Sequence, residues 1–260
     1  MNLKAARFCV CACALLLLSA ARAAACDCVG YPSPAQAFES ATAVFVGTVV
    51  GVKSEVEGEP VYGEQTAVLR AEEVFKGLQA GGEITLRQPG HNCAPKYKTG
   101  WRGLFYANYD PKTKAWEVYG CGRNSQLERA ADDLLYLRAL PLSAQRNRVS
   151  GTLGRYEDGP GRGFDFVGPL VGVKVKIKGT DKTYEATTDS NGVYEIYDLP
   201  AGTYSIEPEL PPGLKVRFPM AFSPTGNEVW HKDGHADTSR IVLTEKTCAG
   251  SDFVVFSDQH

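Results

Sequence analysis

Residues 43–52 read AVFVGTVVGV, a nearly unbroken run of β-branched and aromatic residues, and reading it as a strand decides the fold of the first half. Four similar stretches follow, at residues 65–74, 83–88, 103–109 and 115–119. Turn-forming segments separate them: residues 57–60, the Gly81-Gly82 pair and Asp110-Pro111. Upstream, Ser33, Pro34 and Gln36 spell an N-cap, a first-turn proline and a capping box, which predicts a short helix through Phe38. Downstream, Ser125 and Glu128 predict another capping box. It would open a helix whose apolar positions Leu127, Ala130, Leu134, Leu137, Ala139 and Leu140 approximate one face. Five strands and a helix in about 115 residues suit a small closed barrel such as an OB-fold, and a β-sandwich has the same pattern.

Helical periodicity ends at the polar stretch 143–148, read as a linker. Beyond it, residues 149–153, 171–177, 183–188, 193–197 and 203–207 are short alternating segments, with later strands expected at 240–243 and 252–256. Asp189-Ser190-Asn191-Gly192 and Leu199-Pro200-Ala201-Gly202 read as tight hairpin turns between them. This is the spacing of a β-sandwich. The chain is therefore expected to be all-β with two short helices: an OB-like barrel over 26–142, then a seven-stranded sandwich over 149–260.

Lys4 and Arg7 precede the apolar run 8–21, and Ala23, Ala24 and Ala25 follow it, the layout of a secretory signal peptide over residues 1–25. The run is about 14 residues, short of the roughly 20 that cross a bilayer, and no later segment supplies a span. Cleavage after Ala25 removes Lys4, Arg7 and Arg22 with no acidic residue, taking the net charge from −2 to −5. A nucleic-acid binder needs a clustered basic footprint, which this balance argues against. Cleavage also divides the 8 cysteines: Cys9, Cys11 and Cys13 leave, while Cys26, Cys28, Cys93, Cys121 and Cys248 stay. An odd number in an oxidising compartment means two disulfides and a leftover, or a chemical fate for one cysteine.

Cys26-Asp27-Cys28-Val29 at the cleavage boundary, Pro34-Ala35-Gln36-Ala37-Phe38, Val44-Phe45-Val46-Gly47-Thr48-Val49, Val74-Phe75-Lys76-Gly77, Cys93, and Cys121 ahead of the second helix resemble the netrin/TIMP-like family. TIMPs are the tissue inhibitors of metalloproteinases, and the resemblance spans residues 26–140. It implies an OB-fold with Cys26 bridged to Cys93 and Cys28 to Cys121, each bridge contributing about 2–4 kcal/mol by closing a long loop. Cys248 is then the leftover, expected buried and reduced in the sandwich. The resemblance also implies a zinc-chelating site at the new N-terminus.

That chemistry follows from first principles. An N-terminal residue offers its α-amino nitrogen and carbonyl oxygen as a five-membered chelate, and a catalytic zinc keeps a position open that such a chelate takes from water. An α-amine of pKa about 8 is neutral often enough near pH 7 to bind metal. Disulfides at Cys26 and Cys28 would fix the chelating geometry in advance. The resemblance assigns the Cys26 backbone to the zinc and the Asp27 side chain to the enzyme's specificity pocket. Asp27 stands where inhibitory members usually carry a small neutral or hydroxylated residue, and Glu39 where the family's next cysteine falls. A buried, unpaired carboxylate in an apolar pocket costs several kcal/mol, so a standard vertebrate matrix metalloproteinase is a poor match. Two other readings stay open. Cys26 and Cys28 serve only as staples in one of them. In the other, Ala23-Ala24-Ala25-Cys26 is a bacterial lipobox with Ala23 in place of the usual Leu, and acylation of Cys26 would consume the chelating amine.

In the second half, Val149-Ser150-Gly151, Gly172-Val173-Lys174-Val175, Thr188-Asp189-Ser190-Asn191-Gly192-Val193-Tyr194 and Leu199-Pro200-Ala201-Gly202-Thr203-Tyr204 resemble a carboxypeptidase-regulatory-like or CNA-B-like module. This implies a prealbumin-like sandwich used as a spacer, an adhesive or a sugar-contacting surface. Residues 149–155 contain no Lys, so the isopeptide bond of some CNA-B members has no donor here.

The remaining motifs are weaker. Gly159, Gly161 and Gly163 match a phosphate loop only by spacing, in residues 158–168 that read as a loop. Asp189-Ser190-Asn191 starts like a calcium loop but lacks the distal Glu. His231, His235 and Asp237 have the makings of a metal clasp, though Gly234 spoils a helical spacing and solvated loop histidines account for them. Trp101, Trp116 and Trp230 read as packing residues before sugar platforms. With no zinc-protease helix, Gly-x-Ser-x-Gly elbow or nucleophile–base pair, the expectation is no enzyme, no cofactor and no metal of its own. The sequence points to a secreted, periplasmic or envelope protein, lipid-anchored at Cys26 in the alternative. Its implied partners are a zinc metalloprotease, an extracellular protein or a glycan, with neither nucleic acid nor a membrane span.

Overall fold

The computed structural model describes residues 32–54, 64–88, 96–120, 122–159, 164–223 and 240–258. Helix α1 (Pro34–Ser40) opens on the expected capping box. The Ser33 hydroxyl accepts from the Gln36 N–H at 3.2 Å, and Gln36 Oε1 accepts from the Ser33 N–H at 2.9 Å. The helix feeds β1 (Ala43–Ser54), which pairs antiparallel with β2 (Gln65–Lys76) on one side and β4 (Arg102–Asp110) on the other. β2 pairs with β3 (Glu83–Gln88), β3 runs parallel to β5 (Ala115–Val118), and β5 returns to β4. The order β1-β2-β3-β5-β4 thus closes on β1, and the five-stranded OB-like barrel expected from the sequence is present.

One strand serves two neighbours because it is bent. Register shifts at Val44/Phe45, Val46/Gly47 and Val49/Gly51 curl β1 around the barrel. Its side chains alternate accordingly. Phe45 and Val49 belong to the barrel core with Leu69, Leu86 and Phe105, and the Phe45 and Phe105 rings stack at 5.4 Å. Val44 and Val46 belong instead to a second apolar cluster with Ala37 of α1 and with Leu134 and Leu137 of α2 (Ala131–Arg138).

The entry to α2 corrects the sequence reading. Ser125 is no N-cap: Ser125–Gln126 form a short strand, β6, paired with Leu104 and Gly103 of β4. A 3-10 turn (Leu127–Arg129) follows, and α2 is entered at Ala130 with no side-chain cap. The cause is visible at Gly103. A Cβ there would stand 2.5 Å from the Ser125 carbonyl oxygen, so the glycine lets β6 close on β4 and commits the Ser125 backbone to the sheet.

A 3-10 turn (Ser143–Gln145) leads into the second half, whose described residues form nine strands where the sequence suggested seven. One sheet runs β11-β7-β15-β13, with β8 also on β7: β7 is Arg148–Asp158, β8 Phe164–Pro169, β11 Val193–Tyr197, β13 Leu214–Phe222 and β15 Cys248–Ser257. The facing sheet runs β10-β9-β12-β14: β9 is Lys174–Lys178, β10 Thr183–Thr187, β12 Gly202–Pro208 and β14 Arg240–Leu243. Between them pack Val149, Leu153, Val175, Ile177, Tyr194, Ile206, Ile241, Phe253 and Val255. β8 and β13 are the additions. β7 runs on to Asp158 and pairs with β8 through residues read as a glycine-rich loop. Pro219 obscures β13 in the sequence, and a proline is tolerated there because β13 is the last strand of its sheet.

The two turns read as hairpins also differ. β10 and β11 lie in different sheets, as do β11 and β12, so residues 189–192 and 199–202 carry the chain across the sandwich. The Asp189 carboxylate accepts from the N–H groups of Asn191 and Val193 at 2.8 and 2.9 Å, which occupies it as a turn residue. Among the described residues no helix is long and apolar enough to cross a membrane.

The central sheet depends on a close approach at Gly151. Tyr194 lies opposite it on β11, and the Tyr194 hydroxyl reaches β15, donating to the Ser251 carbonyl at 2.8 Å and accepting from the Ser251 N–H at 3.1 Å. A Cβ on Gly151 would stand 2.0 Å from the Ser251 carbonyl oxygen and 2.8 Å from the Tyr194 hydroxyl. Gly151→Ala is expected to lower stability by about 2–3 kcal/mol, measured as a shift of the urea midpoint.

Candidate functional site

The residues singled out for inhibition, Cys26, Asp27 and Cys28, lie outside the described residues, as do Cys93, Cys121, Trp230, His231, His235 and Asp237. Chain flanking several of them is in place. Arg123, two residues after Cys121, donates from Nη1 to the carbonyl of Pro32, four residues after Cys28, at 3.2 Å. Elsewhere on the barrel, Gln88 Nε2 donates to the Tyr97 hydroxyl at 3.1 Å, and the Tyr97 N–H donates to Gln65 Oε1 at 3.0 Å. These bonds gather both ends of the 89–95 connection, which carries Cys93, onto β2 and β3. Burial pushes the Tyr97 hydroxyl far above its ordinary range, so it stays neutral.

Arg123 is itself buried, and it anchors a polar cluster that the sequence reading did not anticipate. Its Nε donates to both Asp133 oxygens at 2.8 and 2.9 Å. Nη2 lies 3.5 Å from Asp132 Oδ2 and 3.6 Å from Asp252 Oδ2, and the guanidinium stacks over Phe222 at 4.9 Å. Arg148, fully buried at the start of β7, donates to Asp132 Oδ1 at 2.6 Å and pairs with Glu195 at 3.1 Å. The Tyr106 hydroxyl donates to Asp133 Oδ1 at 2.5 Å. The Thr152 N–H and hydroxyl donate to Asp252 Oδ1 at 2.8 and 2.9 Å. Through these bonds α2 and β4 of the barrel are joined to β7, β11, β13 and β15 of the sandwich.

The charge balance of the cluster is uneven. Three buried aspartates face two buried arginines, with Glu195 at the rim. Burial pushes the Asp252 carboxyl up to about 6, with Arg123 pulling the other way and Asp132 and Asp133 adding to the rise. At Arg148 burial is the largest single influence and works against the charge, but Asp132, Tyr197, Cys248 and Glu195 together outweigh it and hold the guanidinium above its ordinary range. Residues 143–148, read as a polar linker, end inside this cluster at Arg148. One signal in the sequence marks it: charged residues embedded in apolar context, Asp132-Asp133 ahead of Leu134-Leu135, and Asp252 ahead of Phe253-Val254-Val255-Phe256.

The other candidates resolve more simply. Cys248 is a free, buried thiol, as expected, but it belongs to the apolar cluster that holds Leu134 and Leu137 of α2 and not to the sandwich core. Burial pushes the Cys248 thiol up to about 11. Trp101 packs on Tyr97 and Phe105 at 5.1 and 5.5 Å, and Trp116 on Tyr109 at 5.3 Å, so both serve packing. Around the barrel Arg70 faces Glu83, Arg87 faces Glu64, Arg102 faces Glu72 and Arg138 faces Glu73. That pattern is unlike a basic track for a polyanion. On the sandwich, Tyr184 and Tyr204 meet edge to face at 6.2 Å beside a groove of ≈ 170 Å³, with Lys182 Nζ 4.7 Å above the Tyr184 ring. No protein-family model and no curated protein matches this chain.

Proposed function

We propose that this is a secreted, non-catalytic binding protein that inhibits a zinc endopeptidase through the α-amino nitrogen and carbonyl oxygen of Cys26. The observation that carries the reading is the bond from Arg123 to the Pro32 carbonyl. It roots the chain leading back to Cys28 beside the chain leading back to Cys121, on a closed OB-like barrel, which is the arrangement a Cys28–Cys121 bridge requires. An N-terminal segment rooted on a buried guanidinium has less freedom to lose when it docks, and that favours tight binding. The matched Arg–Glu pairs around the barrel fit a protein partner better than nucleic acid. Asp27 calls for an enzyme whose specificity pocket offers a cation or a hydrogen-bond donor.

A second reading, an envelope adhesion module whose sandwich touches glycans, draws on the groove beside Tyr184 and Tyr204. Intact-mass measurement of the exported protein separates the two. A chain beginning at Cys26 with an unmodified amine is the expected result. An acyl mass on the Cys26 amine would remove the chelating nitrogen, and a diacylglyceryl thioether would take the sulfur that the implied Cys26–Cys93 bridge needs; either result leaves the adhesion reading in its place.

A further inference from the structure

We propose that the junction of barrel and sandwich is an acid-tightened clasp: its buried charge cluster closes most firmly with one proton on Asp252 and loosens as the medium passes from mildly acidic to neutral. The inference stands apart from the inhibitory reading. Asp252 lies on the outer face of β15 in a cleft of only ≈ 50 Å³, with Ser125 and Arg129 on the barrel side and Thr152 and Tyr156 on the sandwich side. The Asp252 side chain is itself almost wholly buried, so its carboxylate has little contact with water. Residues of both halves thus enclose it.

The groups that face Asp252 come from every element packed around it. Arg123 approaches from the segment before β6, Glu128 and Arg129 from the turn before α2, and Asp132 and Asp133 from α2. β7 supplies Thr152, Tyr156 and, beyond Asp132, Arg148; β11 supplies Tyr194. β13 contributes uncharged Met220 and Phe222. With Asp252 ionised, three enclosed carboxylates meet two guanidiniums. With Asp252 protonated, the enclosed charges balance. Ionisation therefore adds both a desolvation cost and repulsion from Asp132 and Asp133.

The sign follows from linkage. Asp252 is pushed up to about 6 in the closed form, against 3.8 for an ordinary aspartate. A proton held more tightly in the closed form favours closure, fully below about pH 4, and that contribution is lost as pH rises through about 6. Between about pH 5 and pH 7.5 this linkage raises the open fraction about tenfold. Arg123 extends the consequence to the N-terminal segment, because the same guanidinium that faces Asp252 holds the Pro32 carbonyl.

Cys248 reports the opening, since its thiol is buried in the apolar cluster shared with Leu134 and Leu137 of α2. The experiment labels the full-length mature protein with N-ethylmaleimide at several pH values and quantifies the Cys248 peptide by mass spectrometry. Each rate is divided by that of an unstructured peptide of the same sequence at the same pH. The ratio is expected to rise about tenfold from pH 5 to 7.5 in the native chain and to stay flat in Asp252→Asn, while the amides of Val46 and Phe105 in the barrel remain protected. A flat ratio in the native chain, or the same rise in Asp252→Asn, overturns the clasp. Should Asp252→Asn fail to fold, carbon-13 titration of the Asp252 carboxyl in the native chain decides. A midpoint near 6 upholds the clasp, and one at an ordinary aspartate value overturns it.

Discussion

Arg148→Ala is expected to cost about 3–5 kcal/mol of stability, a large part of what a domain of ordinary stability has. Arg148 and Asp132 are both fully buried, and they meet at 2.6 Å. Removing the guanidinium leaves Asp132 inside the protein with Arg123 as its remaining cation, at 3.5 Å. It also opens a cavity where the arginine stem fills space between β7 and α2. The measurement is urea unfolding, read as a lower midpoint. Arg138→Ala is the matched control. Its partner Glu73 lies at the same short range, 2.7 Å, but both side chains are about half exposed, so at most about 1 kcal/mol is at stake. A further variant pairing Arg148→Met with Asp132→Leu should regain most of the loss, because an apolar pair carries no charge to desolvate. If Arg148→Ala behaved like Arg138→Ala, the cluster would not be what joins the two halves.

The barrel was legible where local chemistry and tertiary structure agree. Ser33, Pro34 and Gln36 form the capping box that their spacing implies, and all five barrel strands occur where β-branched runs place them. Elsewhere a long-range contact overrides a local signal. Ser125 and Glu128 have capping-box spacing, yet Gly103, far away in sequence, admits Ser125 to the sheet first. β8 failed for the opposite reason: Gly159, Gly161 and Gly163 suggest a loop, while strand character comes from Phe166 packing on Tyr156 at 5.3 Å. A hairpin signal at Asp189-Ser190-Asn191-Gly192 fixes a turn but not which sheet the next strand joins. The charge cluster was hidden because no local rule says that Asp132, Arg148 and Asp252 converge. Only the docking of α2 on the outer face of β7 and β15 brings them together. The residues proposed for inhibition, Cys26, Asp27 and Cys28, form a motif at the expected cleavage boundary, and their flanks at Pro32 and Arg123 are what the fold adds.

The chelating role proposed for Cys26 makes the largest functional prediction, and it concerns a single atom. The α-amine binds zinc only at a Zn–N distance of about 2.0–2.1 Å, together with the carbonyl of the same residue. One alanine placed ahead of Cys26 moves the free amine about 3.5 Å along the chain and turns the Cys26 nitrogen into an amide, which does not bind metal as a neutral amine does. The fold, the disulfides implied by the resemblance and the Asp27 side chain are all left unchanged. The most direct measurement is therefore inhibition of a panel of zinc endopeptidases by the mature chain beginning at Cys26, side by side with the chain carrying the extra alanine. The account predicts that the mature chain inhibits at least one member and that the extension weakens this by about 100-fold or more. Equal inhibition by the two chains, or none by either, would contradict it.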